Sequence, residues 1–159
     1  MNKNQLNVVI LGYARSDTFE KVLKSCEKYL QSVKVVLDFP TNRSIIKEQQ
    51  KIINTLRKTK IGYELRQRPE SYGLVKSVIT TISEELQKED HVVLLEDDCV
   101  PSEEFFDFMA KSLEKYKNDN NIATICGTRT KCRFNPWGWA TWRNKWNYHH
   151  MTREEILQI

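Results

Sequence analysis

The sequence predicts an α/β fold with a mainly parallel central sheet flanked by helices. Apolar runs of strand length alternate four times with longer segments of helical period, a pattern typical of parallel sheets. The run "HVVLL" (91–95) is of the kind found in strands that are covered on both faces. The 159 residues contain no internal repeat or linker. We therefore expect a single domain over residues 1–159, with ligands bound beyond the carboxyl ends of its strands.

The first half of the chain supplies three predicted strand and helix pairs. "NVVILGY" (7–13) predicts a buried strand, and a helix that we expect Ser16 to cap follows it. "VKVVLDF" (33–39) predicts the second strand, before an amphipathic helix whose apolar stripe runs from Ile45 to Leu56. "KIGYELRQR" (60–68) predicts the third strand. An apolar stripe from Leu74 to Leu86 then indicates the third helix.

The second half begins with the fourth strand, "HVVLL". Pro101 and Ser102 begin the next helix, with Glu103 and Glu104 in its first turn. "NIATICG" (121–127) predicts a fifth strand. Beyond residue 127 the pattern changes to an irregular segment with four tryptophans, followed by a short helix capped at Thr152.

Composition narrows the possible partners. The net charge of +4 comes from 25 basic and 21 acidic residues spread along the chain, too weak a bias to predict binding to nucleic acid. No apolar run approaches the roughly 20 residues that cross a membrane, and the polar start is unlike a secretory signal. The four cysteines have no metal-site spacing and are expected to be reduced thiols. We expect a cytoplasmic protein.

Three carboxylates, Glu96, Asp97 and Asp98, directly follow the fourth strand. Crowded acids repel one another, and a bound cation would relieve the repulsion. Mg²⁺ in particular is held by one or two carboxylates together with the phosphates of a substrate. Alternation along an extended chain predicts that Glu96 and Asp98 point one way and Asp97 the other. The alternative is a solvated strand end before a helix cap.

Other phosphate-binding and catalytic motifs are missing from the sequence. "ILGYARS" contains one glycine and is neither a dinucleotide fingerprint nor a Walker A loop. The chain has no serine nucleophile elbow, no H-E-x-x-H motif and no EF-hand loop. A receiver domain would carry its acid pair after the first strand, and here the order is inverted. Nicotinamide redox and P-loop chemistry are therefore disfavoured.

Five stretches occur in order along the chain: "VVILGYARSD", "VVLDFP", "RPESYGLVKSVITTI", "VVLLEDDCVPSEEFFDFM" and "NPWGWATW". Together they resemble glycosyltransferases of the GT-A fold, both the bacterial family 2-like sugar transferases and the N-acetylglucosaminyltransferase I group. The most specific pieces are "LEDDCVPSEEFF", which resembles the E-D-D form of the D-x-D motif, and "WGWATW". The resemblance implies a metal-dependent, inverting transfer from a nucleotide-diphospho-sugar, with a UDP-sugar favoured, to a hydroxyl of a carbohydrate or glycoconjugate. Peripheral membrane association is compatible with it.

The resemblance also assigns roles to individual residues. It implies that Asp98 coordinates Mn²⁺ or Mg²⁺ on the donor diphosphate, and that Glu96 and Asp97 contact the donor's ribose, its sugar or water on the metal. It assigns the rest of the donor site, within residues 1–127, to Tyr13, Arg15, Asp38, Gly73, Leu74 and Lys76. It places residues 128–159 on the acceptor side, with Trp137, Trp139 and Trp142 as sugar platforms.

Several of these residues have simpler interpretations, which the sequence leaves open. Asp38 is also suited to capping a turn before Pro40. Arg15 and Lys76 are also compatible with solvated helix positions, and the tryptophans with packing. His149 and His150 match the position of a late metal ligand in some relatives, although adjacent histidines in a polar tail are more often surface residues.

The chain departs from the family pattern at the catalytic base. An inverting transferase needs a carboxylate to accept the proton of the acceptor hydroxyl, and relatives carry it after the tryptophan-rich stretch. Here the candidates are Glu154 and Glu155. The chain is the N-terminal portion of a longer transferase, a minimal enzyme, or one with reduced activity, and we favour the first. The rival functions are a non-catalytic nucleotide- or carbohydrate-binding module and a sugar nucleotidyltransferase, which would carry a glycine-rich basic loop after the first strand.

Overall fold

A computed structural model of the chain describes residues 1–128, 134–147 and 154–155. Within these residues, one six-stranded sheet is covered by helices on both faces. The strands are β1 (Val8–Gly12), β2 (Ser32–Leu37), β3 (Gly62–Gln67), β4 (His91–Glu96), β5 (Thr124–Cys126) and β6 (Trp139–Trp142). The helices are α1 (Ser16–Tyr29), α2 (Arg43–Lys58), α3 (Gly73–Leu86) and α4 (Glu103–Tyr116), with short 3₁₀ turns at Lys3–Gln5 and Arg143–Lys145.

The strand order is β3-β2-β1-β4-β6-β5, which confirms the predicted α/β class. The first four strands are parallel, whereas β6 runs antiparallel to both β4 and β5. From β1 the chain moves outward to β2 and β3, and then returns to place β4 on the other side of β1. The gap between the carboxyl ends of β1 and β4 is therefore the topological switch point, where open α/β sheets bind their ligands.

The hydrophobic core lies on both faces of the sheet. Val8 and Ile10 of β1 face a large cluster formed with α1, α2 and α4. Val9 and Leu11 face a smaller cluster, which is covered by α3. This alternation follows from the two-residue period of a strand, and burial on both faces explains why β1 and β4 are apolar throughout.

Helix α3 is also tied to the sheet by charges. Glu85 is fully buried, and its carboxylate accepts hydrogen bonds from Lys34 of β2 at 2.6 Å, Arg66 of β3 at 2.7 Å and Asn7 at 3.2 Å. Burial opposes ionisation of Glu85, but the bonds from Lys34 and Arg66 outweigh it and keep its pKa below the ordinary value. The orientation of α3 is therefore fixed by directional bonds as well as by apolar contact.

Two local predictions were wrong. Ser16 is the first residue of α1 rather than its cap, and its hydroxyl donates to Glu48 of α2. Ser102 does hold the predicted N-cap position of α4, although its side chain makes no capping bond. The stretch 139–142, predicted to be irregular, is a fully buried strand inserted between β4 and β5. Four residues are too few to display a period, and this stretch therefore carries no strand signal. Thr152 lies outside the described residues.

Cys26, Cys99 and Cys126 are free thiols in the described part of the chain, and Cys132 lies outside it. Burial raises the pKa of Cys26 to about 12. None of the described helices has the length and apolar character needed to span a bilayer.

Candidate functional site

The acids after β4 are bonded to the loop after β1, across the switch point. One carboxylate oxygen of Asp97 accepts the backbone N–H of Tyr13 at 3.0 Å. The other accepts Nε of Arg15 at 2.9 Å, and the same guanidinium also contacts Asp98. Because backbone and side chain of the β1 loop both bond to these acids, the two strand ends are held together at the position where a ligand is expected.

Burial and nearby negative charge raise the pKa values of Glu96 and Asp97. Asp97 is only 2% exposed, and burial raises its pKa although the Tyr13 N–H and Arg15 act against the shift. The pKa of Glu96 is raised by burial and by the charge of Asp98. The Asp98 side chain is 40% exposed. The cluster therefore carries more negative charge than the bonded guanidinium offsets.

The three acids divide between two cavities. Glu96 and Asp97 line one cavity, while Asp98 lines a second one beside it. Strand β4 ends at Glu96, and the N–H of Cys99 bonds back to the Glu96 carbonyl at 3.0 Å. Because this turn ends the extended conformation, the two-residue period no longer applies to Asp97 and Asp98.

The first cavity, here called the switch-point cavity, has a volume of about 340 Å³. Ligand sites commonly measure roughly 300–1,000 Å³. Seven of the eight predicted donor-site residues line it: Tyr13, Arg15, Asp38, Gly73, Leu74, Glu96 and Asp97. Lys76, on the first turn of α3, is half-buried and is not among the lining residues. The fold thus brings residues as distant as Tyr13 and Asp97, 84 positions apart, into one cavity.

Asp38 has a different structural role from the turn cap that the sequence left open. Its two carboxylate oxygens accept the backbone N–H groups of Tyr72 and Gly73, both at 2.9 Å, at the beginning of α3. Gly73 adopts a φ of +70°, a conformation that side-chain-bearing residues rarely adopt. Asp38 therefore satisfies exposed helix-end donors and holds α3 against β2, while it also lines the cavity.

Four residues that line this cavity were not predicted as site residues: Leu11, Gly12, Ser71 and Ser77. A Cβ on Gly12 would stand 2.8 Å from the Leu37 side chain, so a larger residue there would push into the packed strand. Ser77 lies four residues after Gly73 and thus on the same helix face, a spacing that could have identified it. Ser71 has no such signal.

The second cavity, here called the aromatic cavity, measures about 730 Å³. Its wall includes Asp98, Cys99, Glu104, Phe105, Phe108 and Trp137. Trp137 is 65% exposed. The Cys99 thiol donates to Asp98, and burial raises its pKa to about 11, so it is neutral at physiological pH. Aromatic faces together with a few polar groups are suited to binding a sugar ring.

The other predicted acceptor-side residues do not reach this cavity. Trp139 and Trp142 are 6% and 5% exposed, and the indole N–H of Trp142 donates to the Leu113 carbonyl at 3.2 Å. Both are packing residues of β6, a correction that follows from their burial in the sheet. Glu154 and Glu155 are exposed, and neither lines a cavity described above. His149 and His150 lie outside the described residues.

The side-chain atoms available as ligands determine how a metal ion would be held. Carboxylate oxygens suit hard divalent cations, and the surplus negative charge of the acids favours one. Among the residues that the structure describes, however, no three His, Cys, Asp or Glu side chains are grouped to hold a metal ion. The carboxylate of Asp98 therefore fits a cation that the phosphates of a ligand also hold.

Comparison with known proteins supports the fold. No protein-family model and no curated protein matches the sequence. Among solved structures, the chain is similar to the crystal structure of M. tuberculosis glucosyl-3-phosphoglycerate synthase, with a TM-score of 0.50 and 14% sequence identity. The match covers 88% of this chain and 58% of the synthase. A similarity at this identity shows the α/β GT-A fold, and the chain spans little more than half the length of the protein it matches.

Proposed function

We propose that this protein is a glycosyltransferase that takes its sugar from a nucleotide-diphospho-sugar, with a UDP-sugar as the expected donor. The observation that carries the proposal is the switch-point cavity, which gathers seven predicted donor-site residues between β1, β2, β4 and the beginning of α3. This cavity lies at the switch point of a GT-A sheet, next to a larger cavity with an exposed tryptophan. Two adjacent cavities suit the two parts of such a donor, its nucleotide and its sugar.

In this proposal the nucleoside lies in the switch-point cavity and the diphosphate extends past Arg15 and Asp98. The sugar then reaches the aromatic cavity, where the face of Trp137 can stack on it. The two cavities are adjacent because Asp97, lining the first, and Asp98, lining the second, are consecutive. Arg15 contacts both aspartates and is half-exposed, so its guanidinium can also hydrogen-bond the diphosphate.

The chemistry we propose is an inverting transfer to an acceptor hydroxyl. Mn²⁺ or Mg²⁺, held by Asp98 and the diphosphate, would supply positive charge against the negative charge that develops on the leaving group. Arg15 adds a second positive charge at the same place. Asp97 keeps the loop after β1 in position through the Tyr13 N–H.

Calorimetry with UDP and GDP tests the proposal. We expect binding in Mn²⁺ or Mg²⁺ and much weaker binding in EDTA. Asp98→Asn should weaken the cation-dependent affinity by at least about tenfold, or ~1.4 kcal/mol. Asp90→Asn is the matched control, because Asp90 is an exposed aspartate just before the opposite end of β4.

Each outcome separates the candidate functions. Binding that persists in EDTA, or that Asp98→Asn leaves unchanged, contradicts the metal assignment. Absence of nucleotide binding contradicts the donor assignment. Nucleotide binding without release of sugar from any donor of a panel indicates a non-catalytic binding module instead.

A further inference from the structure

The aromatic cavity contains a carboxylate that the donor site does not use. Among the described residues lining this cavity, the carboxylates are Asp98 and Glu104. Asp98 is bonded by Arg15 and by the thiol of Cys99. Glu104 is exposed, and the described part of the chain offers it no hydrogen bond or ion pair. It is therefore free to bond to a molecule that enters the cavity.

The helix geometry orients Glu104 toward the cavity and turns its neighbour away. Glu104 and Phe108 are four residues apart on α4, so they share the face that lines the cavity. Glu103 is rotated by about 100° around the helix axis and is not among the lining residues. Two adjacent glutamates in the first turn of one helix thus differ in whether they face the proposed sugar site.

We propose that Glu104 is the general base of the transfer, a role that rests on the function proposed above. As the acceptor oxygen forms its bond to the anomeric carbon, its proton passes to a carboxylate oxygen of Glu104. The bond between the anomeric carbon and the phosphate oxygen breaks, and its electron pair leaves with the nucleoside diphosphate. The base is then supplied from the beginning of α4, and Glu154 and Glu155 are not required for proton transfer.

Glu104→Gln tests this role, with Glu103→Gln as the matched control. The full chain is assayed for donor affinity by calorimetry and for release of sugar to acceptor or to water over a range of pH. We expect Glu104→Gln to keep donor affinity within about twofold and to lose about 10²–10⁴-fold in kcat, the contribution typical of a general base. Its remaining activity should lose the acidic limb of the pH profile. Glu103→Gln should match the wild type in both measurements.

The outcomes distinguish this assignment from the proposed function itself. Nucleotide binding and transfer that Glu104→Gln leaves within threefold of the wild type overturn the role of Glu104 alone. Equal losses of kcat in Glu103→Gln and Glu104→Gln would show that both glutamates act only through their charge at the N-terminus of α4. This result also overturns the role of Glu104 as the base. A wild-type chain that binds no nucleoside diphosphate, or binds one without releasing sugar, overturns the glycosyltransferase proposal and the base assignment with it.

Discussion

The acidic residues 96–98 and the tryptophan-rich residues 137–142 are neighbours in space, because β6 pairs with β4 and places Trp139 opposite Leu94. The acids stand where the strand pattern predicts, at the carboxyl end of β4. The tryptophans differ in their environment, since Trp137 lies exposed in the aromatic cavity while Trp139 and Trp142 are buried in β6. The position of a polar residue at the end of a buried strand is narrowly limited, because burial of polar groups is unfavourable. An aromatic residue is equally compatible with a core and with a sugar site.

The largest expected effect tests the division among the tryptophans. Trp142→Ala removes a buried ring and its bond to the Leu113 carbonyl, and we expect the free energy of unfolding to fall by about 3–5 kcal/mol. Trp137→Ala should change it by no more than about 0.5 kcal/mol, because this ring is mostly exposed. Urea unfolding followed by circular dichroism measures both. Similar losses in the two variants would contradict the distinction between packing and surface tryptophans.

An intermediate effect is expected where the donor site and the fold share a residue. Asp38→Ala removes the carboxylate that accepts the N–H groups of Tyr72 and Gly73, and should lower the free energy of unfolding by about 2 kcal/mol. Asp38→Asn keeps one acceptor oxygen and should lose less. Urea unfolding and UDP calorimetry on both variants make the comparison. If Asp38→Ala is as stable as the wild type, the capping of α3 by Asp38 contributes little.

The smallest effect concerns the crowding of the acids, and it depends on pH. The pKa of Glu96 is raised in the fold above its ordinary 4.5, so between these two values the folded chain binds more protons than the unfolded one. Stability therefore falls as pH rises through this window, and at neutral pH the ionised Glu96 destabilises the fold. Glu96→Gln should raise the free energy of unfolding at pH 7 by less than about 1 kcal/mol.

Thermal unfolding of Glu96→Gln and the wild type from pH 4 to pH 8 measures this effect. The gain should shrink below pH 4.5, where Glu96 is protonated in both the folded and the unfolded chain. A variant that is less stable than the wild type at pH 7 would show that Glu96 makes favourable contacts as an anion, contrary to the direction of its pKa shift.

Much of the architecture followed from periodicity. The first four strands and the four main helices were predicted in order, because each carries an apolar run or stripe long enough to show its period. Strand β6 was missed since its four residues are too few, and because a strand inserted between β4 and β5 depends on pairing partners distant in sequence. The cap assigned to Ser16 failed for a related reason, as its hydroxyl is bonded to Glu48 on another helix.

The candidate site was predicted in part, and its metal, donor and base roles remain proposals. Residues after β1, β2 and β4 could be identified because the carboxyl ends of parallel strands meet at one edge of the sheet. The partners of those residues could not be identified. No sequence spacing indicates that Arg15 binds Asp97 and Asp98, or that Asp38 caps α3. Each of these contacts joins segments more than thirty positions apart.

The sequence by itself determined the α/β class, the succession of the first four strands along the chain and the presence of three acids after a strand, because these depend on local period and on the high cost of burying charge. Only the tertiary structure decided how the acids divide between two cavities, which tryptophan is exposed, and that Glu104 rather than Glu103 lines the aromatic cavity. Those outcomes depend on where a turn ends the strand, on strand pairing, and on the rotation of a helix against its neighbours.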